Sequence, residues 1–254
     1  MSVHEFSRLS GNRLGFPALA ESALFHGVFN RHSGVSPAPW HSRNVAFGLG
    51  DEPHNVRENR KRIKKALDCT HLVSARQIHG ASVHAITENP GQDIELDGFD
   101  SLITNVSGVG LMIQQADCQA VMLFDPVNRA VGIAHAGWRG TAANIIGRTV
   151  LAMQRAFTTE PADLVAAVSP SLGPCCAEFI NYPAELPAPL HSYQIKPTFF
   201  DFWAISRDQL AGAGVQPQNI HTAALCTRCD TDYFSYRREG ATGRFASVIG
   251  IRKA

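Results

Sequence analysis

Short apolar or β-branched runs arrive in groups along this chain, and that grouping limits its folds more than any other feature. They occupy residues 71–75, 82–86, 108–113, 119–124, 130–135, 163–168 and 245–251, and each reads as a strand. Many neighbours have no room for a helix between them. Helical patterns are interspersed instead. Residues 53–67 (PHNVRENRKRIKKAL) put Val56, Arg60, Ile63 and Leu67 on one face behind an initial proline, as an exposed amphipathic helix does. Further helices are expected over 141–157 and 202–211. Strands in groups with helices scattered among them predict an α+β fold rather than an alternating βαβ one. No repeat or low-complexity stretch divides the chain, and the proline-rich stretches 36–40 and 183–197 are short enough to be loops. One domain over residues 1–254 is expected.

With 23 Lys and Arg against 22 Asp and Glu, the formal charge is +1. No global field draws the chain to nucleic acid or to an anionic membrane, so any anion site has to be local. No apolar run approaches the roughly 18 residues of a spanning helix. The start MSVHEFSRLSGNRLG lacks the basic end and apolar stretch of a signal peptide, so a cytoplasmic protein is expected. Six cysteines (69, 118, 175, 176, 226 and 229) are too sparse and irregular for a disulfide framework. They read as core residues, ligands or nucleophiles.

The segment QQADCQAVMLFDPVNRAVGIAHAGWRG reads as two apolar strands joined by Asp125-Pro126-Val127-Asn128, whose Asp and Pro suit a type I turn. If Asp125 pairs with Asn128, Cys118 sits directly opposite His135 with Cβ atoms about 4.5–5.5 Å apart. That spacing suits a nucleophile and its base, or two ligands of one metal. A loop one residue longer would send the two to opposite faces. The plain alternative is a buried small thiol and a strand-end histidine satisfied by backbone. After His135, Gly137-Trp138-Arg139-Gly140-Thr141 opens a helix whose free N–H groups suit an anion, with Arg139 able to grip phosphate in bidentate fashion. As a bare motif it is equally a tight connection.

His79, in Arg76-Gln77-Ile78-His79-Gly80, is a third candidate, although alone it reads as a surface or capping histidine. The loop from Ser42 to Asp51, with Asn44 and two glycines, reads as a plain loop with turn residues. Cys226-Thr227-Arg228-Cys229 is a CxxC without a second CxxC for a four-thiolate site or a thioredoxin-like setting. It reads as structural or adjacent to the site. Cys175 and Cys176 are vicinal, and the sequence leaves open whether either faces a cavity.

The chain resembles the laccase-domain family, also called multicopper polyphenol oxidases or YfiH-type proteins. The resemblance runs from about Gly27 to Ile251. It rests on SRNVAFGLGD with Asn59-Arg60 after it, RQIHG, DGFDSLIT, ADCQAVMLFDP, AHAGWRGT, LGPCCAEF and CTRCDTDYFSYRREGATGRFAS. It implies a layered α/β/β/α sandwich with mixed sheets, a YfiH-like and cytotoxic-necrotizing-factor-like arrangement, in a monomer or homodimer. It also implies metal ligands at His79, Cys118 and His135, the three positions reached above, with Zn²⁺ the usual ion and Cu²⁺ attached by name. Gln115 stands where the family commonly has Thr, and Ala120 where it often has Pro. Both flank the site and bear on substrate preference.

The activity implied is purine nucleoside phosphorylase: phosphorolysis of adenosine, inosine, guanosine and methylthioadenosine, with adenosine deaminase activity alongside. Phosphate has to be held against C1′, so basic groups must converge. Arg60 and Arg139 are the expected phosphate contacts, with Asn44 orienting substrate. The deaminase pattern of HxE with PCxxC is absent. A copper polyphenol oxidase would need a trinuclear cluster, commonly built from HxH pairs, and none of the 11 histidines forms one. Two further classes compete. One is a metal-free Cys118/His135 hydrolase or deamidase, which does not need His79 as a metal site does. The other is a non-catalytic metal- or partner-binding protein.

Overall fold

A computed structural model of the chain describes residues 6–9 and 12–253. Met1–Glu5, Ser10, Gly11 and Ala254, which belong to the span expected as one domain and in part to the N-terminal stretch read above, lie outside the described residues. In chain order the elements are β1 (Ser7–Leu9), β2 (Arg13–Gly15), β3 (Leu24–Phe29), α1 (Pro53–Leu67), β4 (His71–Arg76), β5 (Val83–Ile86) and β6 (Ile94–Asp97). There follow β7 (Ser101–Thr104), β8 (Val109–Gln115), β9 (Gln119–Asp125), β10 (Ala130–Ala136), α2 (Trp138–Ala142), α3 (Ile145–Phe157) and β11 (Val165–Val168). The chain continues with α4 (Tyr182–Glu185), β12 (Gln194–Lys196), β13 (Phe199–Phe200), α5 (Phe202–Gly212), β14 (Ile220–Thr222), α6 (Tyr236–Glu239) and β15 (Phe245–Ile251).

Two mixed sheets stack face to face, one in the order β1-β2-β3-β15-β8-β4-β6 and the other β14-β11-β9-β10-β7-β5. The alternation of the paired strands β9 and β10 explains the layers. Met122, Phe124, Val131 and Ile133 join the core between the sheets, together with Leu111 and Phe245 of the first sheet. Val121, Leu123 and Ala134 face outward against Val150 and Met153 of α3 and Leu210 of α5. On the far side, Ile63 and Leu67 of α1 cover Met112 and Val248. The layers therefore run α/β/β/α, as the resemblance implied. Every residue of β9 and β10 is buried, which is why these strands read as continuous apolar runs.

Two local expectations need correction. The helix expected over 141–157 is two helices, because Asn144 takes a left-handed conformation (φ 56°) and accepts from the Gly147 N–H, capping α3. The hairpin register also differs. Asp125 pairs with Ala130, and His135 with Ala120 rather than Cys118. The loop is two residues longer than a type I turn closing on Asn128. Asp125 Oδ1 accepts from both Val127 N and Asn128 N at 2.9 Å, and Arg129 closes the loop at φ 50°. A shift of two preserves the faces of the sheet. His135 thus stays on the inner face with Val131 and Ile133, and Cys118, two residues before Ala120 in the loop leading into β9, reaches it diagonally.

Candidate active site

His135 is the penultimate residue of β10 and only 2% exposed. The antiparallel pairing of β10 with β7 sets Ala134 against Ser101, so the residue before Ser101, Asp100, lies beside the histidine. The His135 N–H donates to the Asp100 carbonyl at 2.7 Å. His135 Nδ1 lies 2.9 Å from Asp100 Oδ1, and because an ionised carboxylate only accepts, Nδ1 carries the proton there and Nε2 is left for the site. Asp100 also accepts from Ile78 N (3.3 Å), His79 N (2.9 Å) and Gly80 N (2.7 Å). One buried carboxylate therefore orients the His135 ring and clamps the loop that carries His79. That loop follows β4 and holds His79 at φ 60°, a conformation a non-glycine residue keeps only when its surroundings impose it. Cys118 comes from the loop between β8 and β9. Its neighbour Asp117, at φ 84°, accepts from Thr227 Oγ1 at 2.7 Å and from the Arg237 N–H at 2.6 Å.

The donor atoms of His79, Cys118 and His135 all lie within 4.8 Å of one another, with the two imidazoles edge to face at 4.9 Å between centroids. Burial works against the Cys118 thiolate, but the charge of His135 and hydrogen bonds from both histidines outweigh it and lower the thiol to about 6. Burial likewise opposes the His135 imidazolium, and Cys118 and Asp100 together raise it to about 9. Asp100 is held below the ordinary carboxylate range: burial opposes this, and His135 with the Gly80 and Ile78 N–H groups overcomes it. Two imidazoles and one thiolate, with a carboxylate behind one ring, form a donor set that fits Zn²⁺ with one coordination position open.

Gly137, next after β10, makes room for this convergence. A Cβ there would lie 3.0 Å from Cys118 Sγ and 3.1 Å from His79 Cδ2, while its φ of −77° is compatible with alanine. Gly137→Ala is therefore expected to weaken metal binding by about 10-fold or more while moving the melting temperature by only a few degrees. Metal titration beside thermal unfolding checks this; unchanged affinity would contradict it.

The three residues open on a cavity of about 1050 Å³, at the upper end of the range that holds small ligands. Its walls carry Phe47, Trp138, Phe179 and Tyr236 as aromatic faces and Arg76, Arg139, Arg237 and Arg244 as cations. Arg139 stacks over Trp138 at 4.2 Å, and among the described residues no carboxylate engages it. Arg237 donates to the carbonyls of Cys176 (3.2 Å) and Glu178 (3.0 Å). Asn44 and Arg60 do not line the cavity. Asn44 is fully buried: its amide donates to the Ala46 carbonyl and Asp51, and its oxygen accepts from Ala46 N and from Arg244 N at 2.9 Å. Arg60 lies behind the wall, donating to Glu95 (2.5 Å), Val45 O (2.8 Å) and Ser74 Oγ (3.2 Å). Glu95, not Arg60, faces the cavity.

Burial opposes ionisation of Glu95, but Arg60, Ser74 and Gln114 hold it below its ordinary value. A depressed carboxylate contributes stability above its unfolded pKa, about 4.3, and loses it as the pH falls through the lower folded value. Glu95→Gln is accordingly expected to flatten the acid limb of a stability–pH curve below about pH 4.3; an unchanged acid limb would contradict the pairing.

Sequence reasoning missed Asp100, Glu95, Arg237 and Arg244, and read Gly137 only as the start of a helix turn. Asp100 stood in the block DGFDSLIT, but only the pairing of β7 with β10 reveals its role. The sequence also left the two cysteine pairs apart, whereas the structure gathers Cys175, Cys176, Cys226 and Cys229 within 4.8 Å of one another.

The fold and this centre define a class: a single α+β domain with a His–Cys–His cluster at the mouth of the seam between two mixed sheets. The sequence profile of the family described as multi-copper polyphenol oxidoreductase laccase matches residues 25–252, and the chain belongs to that family. It is 34% identical over 260 residues, covering 95% of this chain and 94% of the relative, to a protein named purine nucleoside phosphorylase YlmD from Geobacillus stearothermophilus. It is 32% identical over 231 residues (87% and 91%) to one named purine nucleoside phosphorylase YfiH from Escherichia coli. The crystal structure of YlmD from G. stearothermophilus superposes with a TM-score of 0.88 at 33% identity, covering 98% of this chain and all of that one. Among the described residues no helix is long and apolar enough to cross a membrane.

Proposed function

We propose that this chain is a purine nucleoside phosphorylase with Zn²⁺ held by His79, Cys118 and His135. The carrying observation is the convergence of those three donors, within 4.8 Å, on a cavity lined by aromatic faces and arginines, in a chain whose relatives bear that name. The substrates are adenosine, inosine, guanosine and methylthioadenosine with inorganic phosphate, and adenosine is also deaminated. An ion held by these three side chains would supply Lewis acidity.

In phosphorolysis a phosphate oxygen attacks C1′, the bond from C1′ to the purine nitrogen breaks, and the electron pair leaves with the base. Arg139, which no carboxylate engages among the described residues, grips the phosphate, and Arg237 and Arg244 add positive potential that offsets repulsion between phosphate and the Cys118 thiolate. Phe179, Trp138 and Tyr236 give the purine flat apolar surfaces. Glu95 accepts hydrogen bonds from sugar hydroxyls. Asn44 and Arg60 act one layer back, Asn44 by fixing the backbone of Arg244 and Arg60 by fixing Glu95.

Arg139→Ala is expected to raise KM for phosphate about 10-fold, a loss near 1.4 kcal/mol, and to leave KM for inosine within about 3-fold. Steady-state kinetics with each substrate varied checks this; equal effects on both would contradict the assignment. The substrate range is tested by chromatography of adenosine incubated with and without phosphate. Adenine formed only with phosphate marks phosphorolysis, inosine marks deamination, and the absence of both products would overturn the reading. Copper-dependent phenol oxidation is less favoured. Among the described residues the clustered donors fall into two groups, only one of which contains histidines, and that one has two.

A further inference from the structure

We propose that Cys175, Cys176, Cys226 and Cys229 form a second metal centre, a tetrathiolate site that holds one Zn²⁺ and fastens together two walls of the cavity.

The site is assembled by the parallel pairing of β11 with β14. Val168 is in register with Thr222, so both strands leave the sheet at the same end. The pairing persists as a bridge between Ser171 and Cys226, with Ser171 N donating to the Leu225 carbonyl (3.1 Å) and Thr227 N to the Ser171 carbonyl (3.0 Å). Each strand then enters a tight turn. Cys176 N and Ala177 N both donate to Gly173 O, and Cys229 N and Asp230 N both donate to Cys226 O. The vicinal pair thus supplies the half that a second CxxC supplies in a four-thiolate site. Gly173 permits the approach, since a Cβ on it would lie 2.9 Å from the Cβ of Cys226.

The sulfur geometry suits an ion. All four cysteines are unbridged. Cys229 Sγ lies 3.5 Å from Cys176 Sγ and 3.8 Å from Cys175 Sγ, and four thiolates about 2.3 Å from a tetrahedral Zn²⁺ stand about 3.8 Å apart. The surroundings suit its charge. A divalent ion with four thiolates carries a net negative charge. Gly173 N donates to Cys226 Sγ at 3.3 Å and Arg228 Nη1 to Cys176 Sγ at 3.5 Å. Arg238 binds the Thr227 and Arg228 carbonyls, and Arg237 binds that of Cys176. Beyond the cysteines, one segment runs on to Glu178 and Phe179 and the other to Tyr236 and Arg237, all of which line the cavity.

The test uses the full chain, prepared under reducing conditions, with the first centre removed by His79→Ala/Cys118→Ala. This variant is expected to keep one zinc per chain by elemental analysis. Exchanged with cobalt, it should show the intense sulfur-to-metal charge-transfer absorption of a tetrathiolate. Adding Cys176→Ser/Cys229→Ser should remove both the zinc and that absorption. Should the fourfold variant fail to fold, titration of the double variant with cobalt decides alone. Saturation at one equivalent with thiolate charge transfer supports the site. No binding, with the four cluster thiols reacting freely or with a disulfide found among them by mass spectrometry, overturns it.

Discussion

Cys118→Ala is expected to leave the fold standing, empty the His79–Cys118–His135 centre, and lower kcat/KM for inosine phosphorolysis by roughly 10³-fold. Cys118 is the one anionic donor of the three, and both histidines hold its thiol down at about 6. Without it, two imidazoles remain, one of them tied to Asp100. An ion that stabilises developing charge contributes several kcal/mol, and about 4 kcal/mol corresponds to about 10³ in rate. The side chain is small and sits in a loop, so melting should shift by only a few degrees. His79→Ala should match Cys118→Ala in both metal loss and rate, because both side chains are assigned as ligands of the same ion. A metal-free thiol hydrolase would instead tolerate loss of His79, and hydrolytic activity surviving His79→Ala would point to that chemistry.

Asp100→Asn is expected to cost both stability and metal affinity. The carboxylate is fully buried and accepts from the His135 ring and three backbone N–H groups. An asparagine keeps one acceptor oxygen and places an NH₂ against the donors that faced the other. Leaving buried donors unmatched beside a former charge costs about 3 kcal/mol, which for a chain of this size is on the order of 8 °C in melting temperature. Zinc affinity should fall about 10- to 100-fold, as when a carboxylate behind a ligating histidine is lost. Calorimetric unfolding and competition with a chelator measure the two effects separately. Wild-type zinc affinity in this variant would show that Asp100 does not orient the ligand.

The parts of the fold that carry unbroken apolar runs were legible in the sequence. β9, β10 and β15 are buried along their whole length, and α1 spans Pro53–Leu67 because its proline and apolar spacing mark its start and inner face. β6 (IELD) and β7 (SLIT) escaped because they are four residues long with polar positions, and only their partners define them. The hairpin register slipped by two because Asp125 and Arg129 share in closing the loop, which turn preferences at 125–128 do not encode. The site was legible as residue types near strand ends. Its clamp was not, since Asp100 reaches His135 and His79 through strand pairing. Arg60 was placed correctly on the inner face of α1, yet that face meets Glu95, an acid from a strand that sequence reasoning had not found. The two cysteine pairs lie 50 residues or more apart in sequence, and only the parallel exit of β11 and β14 unites them.

The most direct measurement is the release of hypoxanthine from inosine by zinc-loaded protein, with and without inorganic phosphate, beside His79→Ala. Hypoxanthine and ribose 1-phosphate are expected in equal amounts, only when phosphate is present and only with His79 in place. Hypoxanthine formed at the same rate without phosphate, or no base released by metal-loaded protein at all, would contradict the proposed function.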